Sequence, residues 1–322
     1  MRTNTDSPSP STGSTATAPR VSRRRFFALS GAVGVAAMSL SACTTDAVEN
    51  ALSSSVDPNE LVAQALSALR GRATSGDAWS NFYDAQFTVL KQEFLRQCGT
   101  NKAGDMPQSC QDRLNEIPDN GTQDTSPQDA LLAAAKAGDA GGVLTGLYAA
   151  ACIEAAAPDT ESVDALDLGA VSGGHNKDSD TFTNLLEFTY AAVYASGVAL
   201  AADGGTNATV LRALATRLRA LRDDCGELLD HLGVDVPRAA AGYTALEQLG
   251  LSEPTDTVSG AQYLHSAMAP LTQQLRMLAS VATSPEAREF DARWCGLCAR
   301  GEAVLEEMFG SNPQDTVIRG SE

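Results

Sequence analysis

Along most of this chain, apolar residues recur every three or four positions, the spacing that lays them on one face of an α-helix. The clearest repeat lies between Asn207 and Leu232. There Leu211, Leu214, Leu218, Leu221, Cys225, Leu228 and Leu232 step by three and four and make a heptad seam. Ala261, Leu264, Met268, Leu271, Leu275, Leu278 and Ala282 repeat the register, interrupted by Pro270. A mid-helix proline loses a backbone hydrogen bond at about 3 kcal/mol, so a kink or short break is expected near Ser266 to Met268. After Ser284-Pro285-Glu286, Phe290, Trp294, Leu297, Val304 and Met308 align in a further helix. Ahead of all three, Asp180 caps a helix reaching Ala202 in which Glu187 is the only charge past the cap. It is apolar on nearly every side and is expected to be central. Four such seams predict a four-helix bundle over residues 178–310.

Residues 57–160 read as a second helical region. Asp57-Pro58 opens a helix with Leu61, Ala65, Leu66 and Leu69 on one face, loosening at Gly71 to Gly76. Trp79, Tyr83, Phe87, Leu90 and Phe94 form a stripe on the next helix. The stripe reads as core, with a groove for an apolar ligand beneath Trp79, Tyr83 and Phe87 as the functional alternative. Residues 99–126 are loop-like, and alanine-rich helices follow at about Pro127 to Lys136 and Gly141 to Ala156. A loop from Pro158 to Lys177 carries Gly173-Gly174-His175, read as flexible, and residues 311–322 read as a disordered tail. Alternating β-branched runs are nearly missing, so the fold class is all-α, with the N-terminal helices an extension of the bundle.

The first 56 residues carry a different pattern. Phe26 to Ala42 is apolar for 17 residues, short for a membrane span and better suited to the core of a signal peptide. Before it, Ser22-Arg23-Arg24-Arg25-Phe26-Phe27 fits the twin-arginine export pattern, with Arg23 and Arg24 as the recognised pair. After it, Leu40-Ser41-Ala42-Cys43 resembles the bacterial lipobox, so residues 1–42 are expected to be removed and Cys43 to become a lipidated N-terminus. Two acyl chains hold a protein to a membrane without a spanning helix. Residues 43–56 are then a small, polar linker, and the protein is expected outside the cytoplasmic membrane, anchored to its outer face.

That reading changes the charge and the role of cysteine. Taking five arginines and one aspartate from 23 basic and 40 acidic residues leaves 18 and 39, a net charge of −21. Nucleic acid is excluded as a partner, since it would meet repulsion instead of counterion release. Six cysteines remain beyond Cys43: Cys98, Cys110, Cys152, Cys225, Cys295 and Cys298. An even number in an exported chain predicts a disulfide framework. Cys98 and Cys110 flank a Gly/Pro loop and are expected to pair. For the rest, Cys225 with Cys298 and Cys152 with Cys295 is one solution and the swapped pairing another.

Catalytic signals are few. The three histidines are preceded at minus three by Ser172, Leu228 and Gln262, so the Glu-x-x-His pairs of a di-iron centre do not occur. Glu187-x-x-Tyr190 has similar spacing, and Glu187, Tyr190, Tyr194 and His265 make the most interesting polar set. A hydrogen-bonded, half-buried carboxylate is the plainer reading of Glu187. Trp294-Cys295-Gly296-Leu297-Cys298 echoes a thioredoxin-type spacing, but that chemistry needs strands before and after it. A zinc site would need a second close cysteine pair. Asn120-Gly121-Thr122 and Asn207-Ala208-Thr209 match a glycan acceptor pattern and read as a turn and a helix start.

Glu187 to Ala199, "EFTYAAVYASGVA", followed by "VPRAAAGYTAL" at Val236 to Leu246, resembles the ferritin-like domain of unknown function of exported actinobacterial proteins, over roughly residues 180–310. The resemblance implies a four-helix bundle without an assigned activity. The expectation is a lipid-anchored extracytoplasmic bundle without enzymatic activity or cofactor. Its partners are the membrane and either an envelope protein or an apolar ligand. A redox or metal protein using Cys295 and Cys298, or Glu187 and His265, is the alternative.

Overall fold

Every regular element among the described residues is helical. The computed structural model describes residues 60–100, 105–122, 125–137, 141–154, 167–175, 179–240 and 254–320. Arg23, Arg24, Cys43 and the linker after it lie outside them. Ten α-helices follow in order: α1 (Glu60–Ala73), α2 (Ser80–Cys98), α3 (Gln108–Asn115), α4 (Pro127–Ala137), α5 (Gly141–Ala151), α6 (Leu168–Gly173), α7 (Ser179–Ala202), α8 (Ala208–His231), α9 (Thr257–Val281) and α10 (Pro285–Met308). The loop expected over residues 99–126 contains α3. It is tied to the end of α2 by the Cys98–Cys110 disulfide, which bears out that pairing.

Helix ends follow capping chemistry. Asp256 and Ser259 form a reciprocal capping box at the start of α9. Ser284 accepts from the Ala287 amide, and Pro285 takes the first-turn position of α10, where its missing N–H costs nothing. The two acceptor-like triplets are a turn, with Gly121 at φ +62°, and the start of α8 at Asn207.

The leucine seams are buried as their spacing requires, from Leu211 to Leu228 on α8 and from Leu264 to Leu278 on α9. Of the expected kink or short break, the break does not occur: helix α9 is continuous through Pro270. The proline removes only the bond to the Ser266 carbonyl, while its flanks, Met268 and Leu271, hold the helix in the core. A short turn joins α7 to α8, where Asp203 accepts from the Asn207 amide at 2.7 Å. Helix α9 begins against the end of α7, with the Thr257 hydroxyl 3.3 Å from the Asp203 carbonyl and Gly260 on Ala199 and Ala202. Thus α7 is antiparallel to both α8 and α9. Residues 232–256 separate the end of α8 from the start of α9, and of these 232–240 and 254–256 are described.

Helix α10 packs on α9, α5, α4 and α6, and α7 on α8 and α9. This reverses one expectation. Helix α7, the most apolar long helix, buries 8 of its 24 residues, whereas α10 buries 16 of 24 despite nine charged residues. One apolar cluster runs from Val62, Leu66 and Phe94 in the N-terminal helices through Leu147 to Leu275 and Phe290. Residues 311–320 are also ordered, correcting the expected disordered tail. They cross α5 and α9 and insert Arg319, 1% exposed, beside α10.

Candidate functional site

Helix α10 gathers the buried chemistry of the chain, so its inner faces are the candidate site. At its first turns, Asp291 is fully buried and its Oδ2 lies 3.0 Å from Nε2 of His175, also buried. Gly174 makes this insertion possible. A Cβ there would fall 2.5 Å from the Ser284 hydroxyl, and its carbonyl accepts from the Thr283 amide and hydroxyl. The His175 ring stands edge-on to Phe182 at 4.9 Å. The loop expected to be flexible is therefore an anchor. A glycine pair beside the only histidine of its region was the available signal, but its partner lies over a hundred residues away.

Above this pair lie the thiols. Cys225, Cys295 and Cys298 are fully buried, and Cys152 sits against Gly296, where a Cβ would meet its sulfur at 2.9 Å. All four are thiols in this structure, so neither proposed set of additional pairs is formed. Cys295 donates towards the Thr272 carbonyl at 3.6 Å, and Arg300 donates to the Cys152 carbonyl at 2.9 Å. Burial pushes Cys225, Cys295 and Cys298 well above the ordinary thiol range, with Asp224 raising Cys225 further and Glu302 raising Cys298. A nucleophilic cysteine requires the opposite shift. Cys295 and Cys298 also lie mid-helix, not at a helix N-terminus after a strand, so the thioredoxin-like spacing lacks its setting.

At the far end of α10, Glu302 accepts from the Thr272 hydroxyl at 2.5 Å. One turn on, Glu306 accepts from Arg319 at 2.6 and 2.8 Å, and its Oε1 lies 3.1 Å from Nε2 of His265. Burial would raise the Glu306 carboxyl, but hydrogen bonds from His265 and Arg319 and the Arg319 charge outweigh it and bring it down to about 2.

The polar set suggested by the sequence is thus divided. His265 turns to α10. Glu187 stays on α7, its carboxyl pushed up by burial alone. Tyr190 donates to the Pro237 carbonyl at 3.1 Å, and Tyr194 is 43% exposed. Helical periodicity placed them on their helices but could not specify which neighbour each face meets. Among the described residues, no group of three or more His, Cys, Asp or Glu side chains is arranged to hold a metal ion.

The aromatic stripe on α2 is core. Tyr83, Leu90 and Phe94 are buried, and the outer sides of Phe87 and Tyr83 carry the Arg70 and Arg72 guanidinium groups at 5.1 and 5.4 Å. The grooves nearby have mixed polar and apolar linings. One of about 460 Å³ runs along α1 past Gln64, Ser67 and Arg113, and one of about 420 Å³ lies beside Arg72, Ser75, Gln128 and Glu154. In the latter, Glu154 bridges Arg72 and the Tyr83 hydroxyl, which donates to it at 2.5 Å.

Comparison with known proteins adds one finding. Residues 182–311 match the model of a family described as a domain of unknown function, DUF4439. That span covers α7 to α10 and ends where residues 311–320 begin their crossing. No curated protein and no solved structure matches the chain.

Proposed function

We propose that this is a lipid-anchored extracytoplasmic protein whose helical body serves binding or envelope structure and not catalysis. The observation that carries the reading is an order of signals: Arg23-Arg24, an apolar run, then Leu40-Ser41-Ala42-Cys43 and a polar linker before the first helix. The Cys98–Cys110 disulfide suits an oxidising compartment. A non-catalytic role is supported by the way the interior acids are used. Asp291 is matched to His175, Glu302 to Thr272, and Glu306 to Arg319 and His265, each by a partner within the fold.

We read α7 to α10 as a ferritin-like four-helix bundle. The reading is supported by the sequence separation of α8 and α9, residues 232–256, against residues 203–207 and 282–284 at the other two joints, since ferritin-like folds have one long crossover. Its interior is filled by thiols, apolar side chains and internal ion pairs where a metalloprotein of that shape would carry ligands.

Mass spectrometry of protein extracted from the membrane fraction tests the anchor. The expected N-terminus is an acylated Cys43, and Cys43→Ala is expected to leave the membrane fraction. An unmodified chain still carrying residues 1–42 would overturn the reading. For the absence of catalysis, hydrolytic or redox activity in the purified body that disappears with a single substitution on α10 would be the contrary result.

A further inference from the structure

Residues 311–320 engage the body as a bound ligand would. They leave α10 through Gly310 at φ +83° and a short 3-10 turn, Pro313–Asp315. Gln86 of α2 donates to the Val317 carbonyl at 3.1 Å, and the Arg319 amide donates to the Gly146 carbonyl of α5 at 3.1 Å. Arg276 of α9 donates to the Gly320 carbonyl at 3.0 Å. Three helices therefore read main chain. One side chain is read closely: the Arg319 guanidinium forks onto Glu306, lies 3.8 Å from Glu302 and donates to the Pro313 carbonyl. The next position must be glycine, because it has φ +72° and a Cβ there would sit 2.9 Å from the Thr272 carbonyl.

What holds this segment is narrow. Only Pro313, Arg319 and Gly320 of its residues are buried, with Val317 and Ile318 half-covered. A buried ion pair returns little net stability once desolvation is counted, so the segment belongs to the parts that open below the global unfolding energy. Opening takes the Arg319 charge away from Glu302 and Glu306, one helical turn apart, while Thr272 and His265 stay beside them, so the exposed pair of carboxylates favours a cationic group in its place. The main-chain readers beside them favour a peptide over an inorganic ion.

We propose that the groove between α2, α5, α9 and α10 is a recognition site for an Arg-Gly turn of a partner protein, and that residues 311–320 occupy it as an internal pseudo-ligand. Displacement of the pseudo-ligand by the partner's arginine would couple binding to release of this segment. The inference is independent of lipid at Cys43.

Fluorescence anisotropy with a labelled synthetic peptide of residues 312–320 tests it on the full-length protein. The Arg319→Ala protein is expected to bind at least about tenfold tighter than the unaltered protein, since its own segment competes poorly. A peptide with alanine in place of the arginine is expected not to bind. Equal binding of both peptides, no binding by either protein, a dimer formed by exchange of the segment between copies, or occupation by Ca²⁺ or Zn²⁺ without peptide would each overturn the proposal. If Arg319→Ala does not fold, hydrogen exchange on the unaltered protein decides. Amides of residues 317–320 are expected to exchange at least about tenfold faster than those of residues 297–305, and equal protection contradicts the inference.

Discussion

Helices α7 and α10 have equal length and opposite character. Helix α7 has a window of mean hydropathy 1.4, the one described helix long and apolar enough to cross a membrane, yet only 39% of that window is buried. Helix α10 carries nine charges and is buried on most sides. The difference is one of neighbours. Helix α7 has helices against one side, while α10 is surrounded by α9, α5, α4, α6 and the crossing segment. Apolarity therefore does not rank helices by depth, because buried charges are tolerated wherever an opposite partner reaches them. On α10 the partners arrive from afar: His175 from before α7, Thr272 and His265 from α9, Arg319 from beyond the helix.

The sharpest way to break this comparison is to remove an acid from each helix. Asp291→Ala leaves His175 buried without its partner and is expected to cost about 3–5 kcal/mol in denaturant unfolding, with the His175→Ala, Asp291→Ala pair costing less than the sum of the singles. Glu187→Ala on α7 is expected to stay within about 0.5 kcal/mol of the unaltered protein. Similar losses at both positions would mean that α7 is as deep as α10.

A smaller effect comes from one substitution made twice. On α10, Gly296→Ala forces a Cβ to 2.9 Å from the Cys152 sulfur and 3.0 Å from Tyr148, and overpacking of that kind costs roughly 1–3 kcal/mol. On α7, nothing lies within 4 Å of a Cβ at Gly197, so Gly197→Ala is expected to stabilise by about 0.5–1 kcal/mol through helix propensity. Thermal melting of the two variants should move in opposite directions.

Acid titration separates the helices by sign. Glu306 is held down to about 2, so its contribution is present above the ordinary carboxylate range near 4.5 and is lost as pH falls towards 2. Glu187 is raised, so its protonation favours the folded state as pH falls. Glu306→Gln is expected to flatten the acid-side loss of stability, and Glu187→Gln to steepen it slightly. A chemical check follows from the thiols: the denatured, unreduced protein is expected to alkylate at Cys152, Cys225, Cys295 and Cys298, and at neither Cys98 nor Cys110.

Local pattern carried the helices and little of their arrangement. The seams of α8 and α9 were legible because leucine spacing is set by the helical repeat alone, and Cys98 with Cys110 because twelve residues and a loop separate them. The depth of α10 was not, since its acids look solvated until His175, Thr272 and Arg319 are brought to them. Residues 311–320 looked disordered for the same reason: their partners, Gln86, Gly146, Arg276 and the carboxylates that meet Arg319, all lie on other elements. Glu187 was singled out as the only charge past the cap of α7, and the sequence could not show that His265 turns to Glu306 instead.

Native-state hydrogen exchange tests most directly the claim that α10, not α7, is the centre of this fold. The account predicts that amides from Asp291 to Leu305 exchange only through global unfolding, while those of α7 exchange through an opening of lower free energy. Protection of α7 equal to or greater than that of α10 would contradict it.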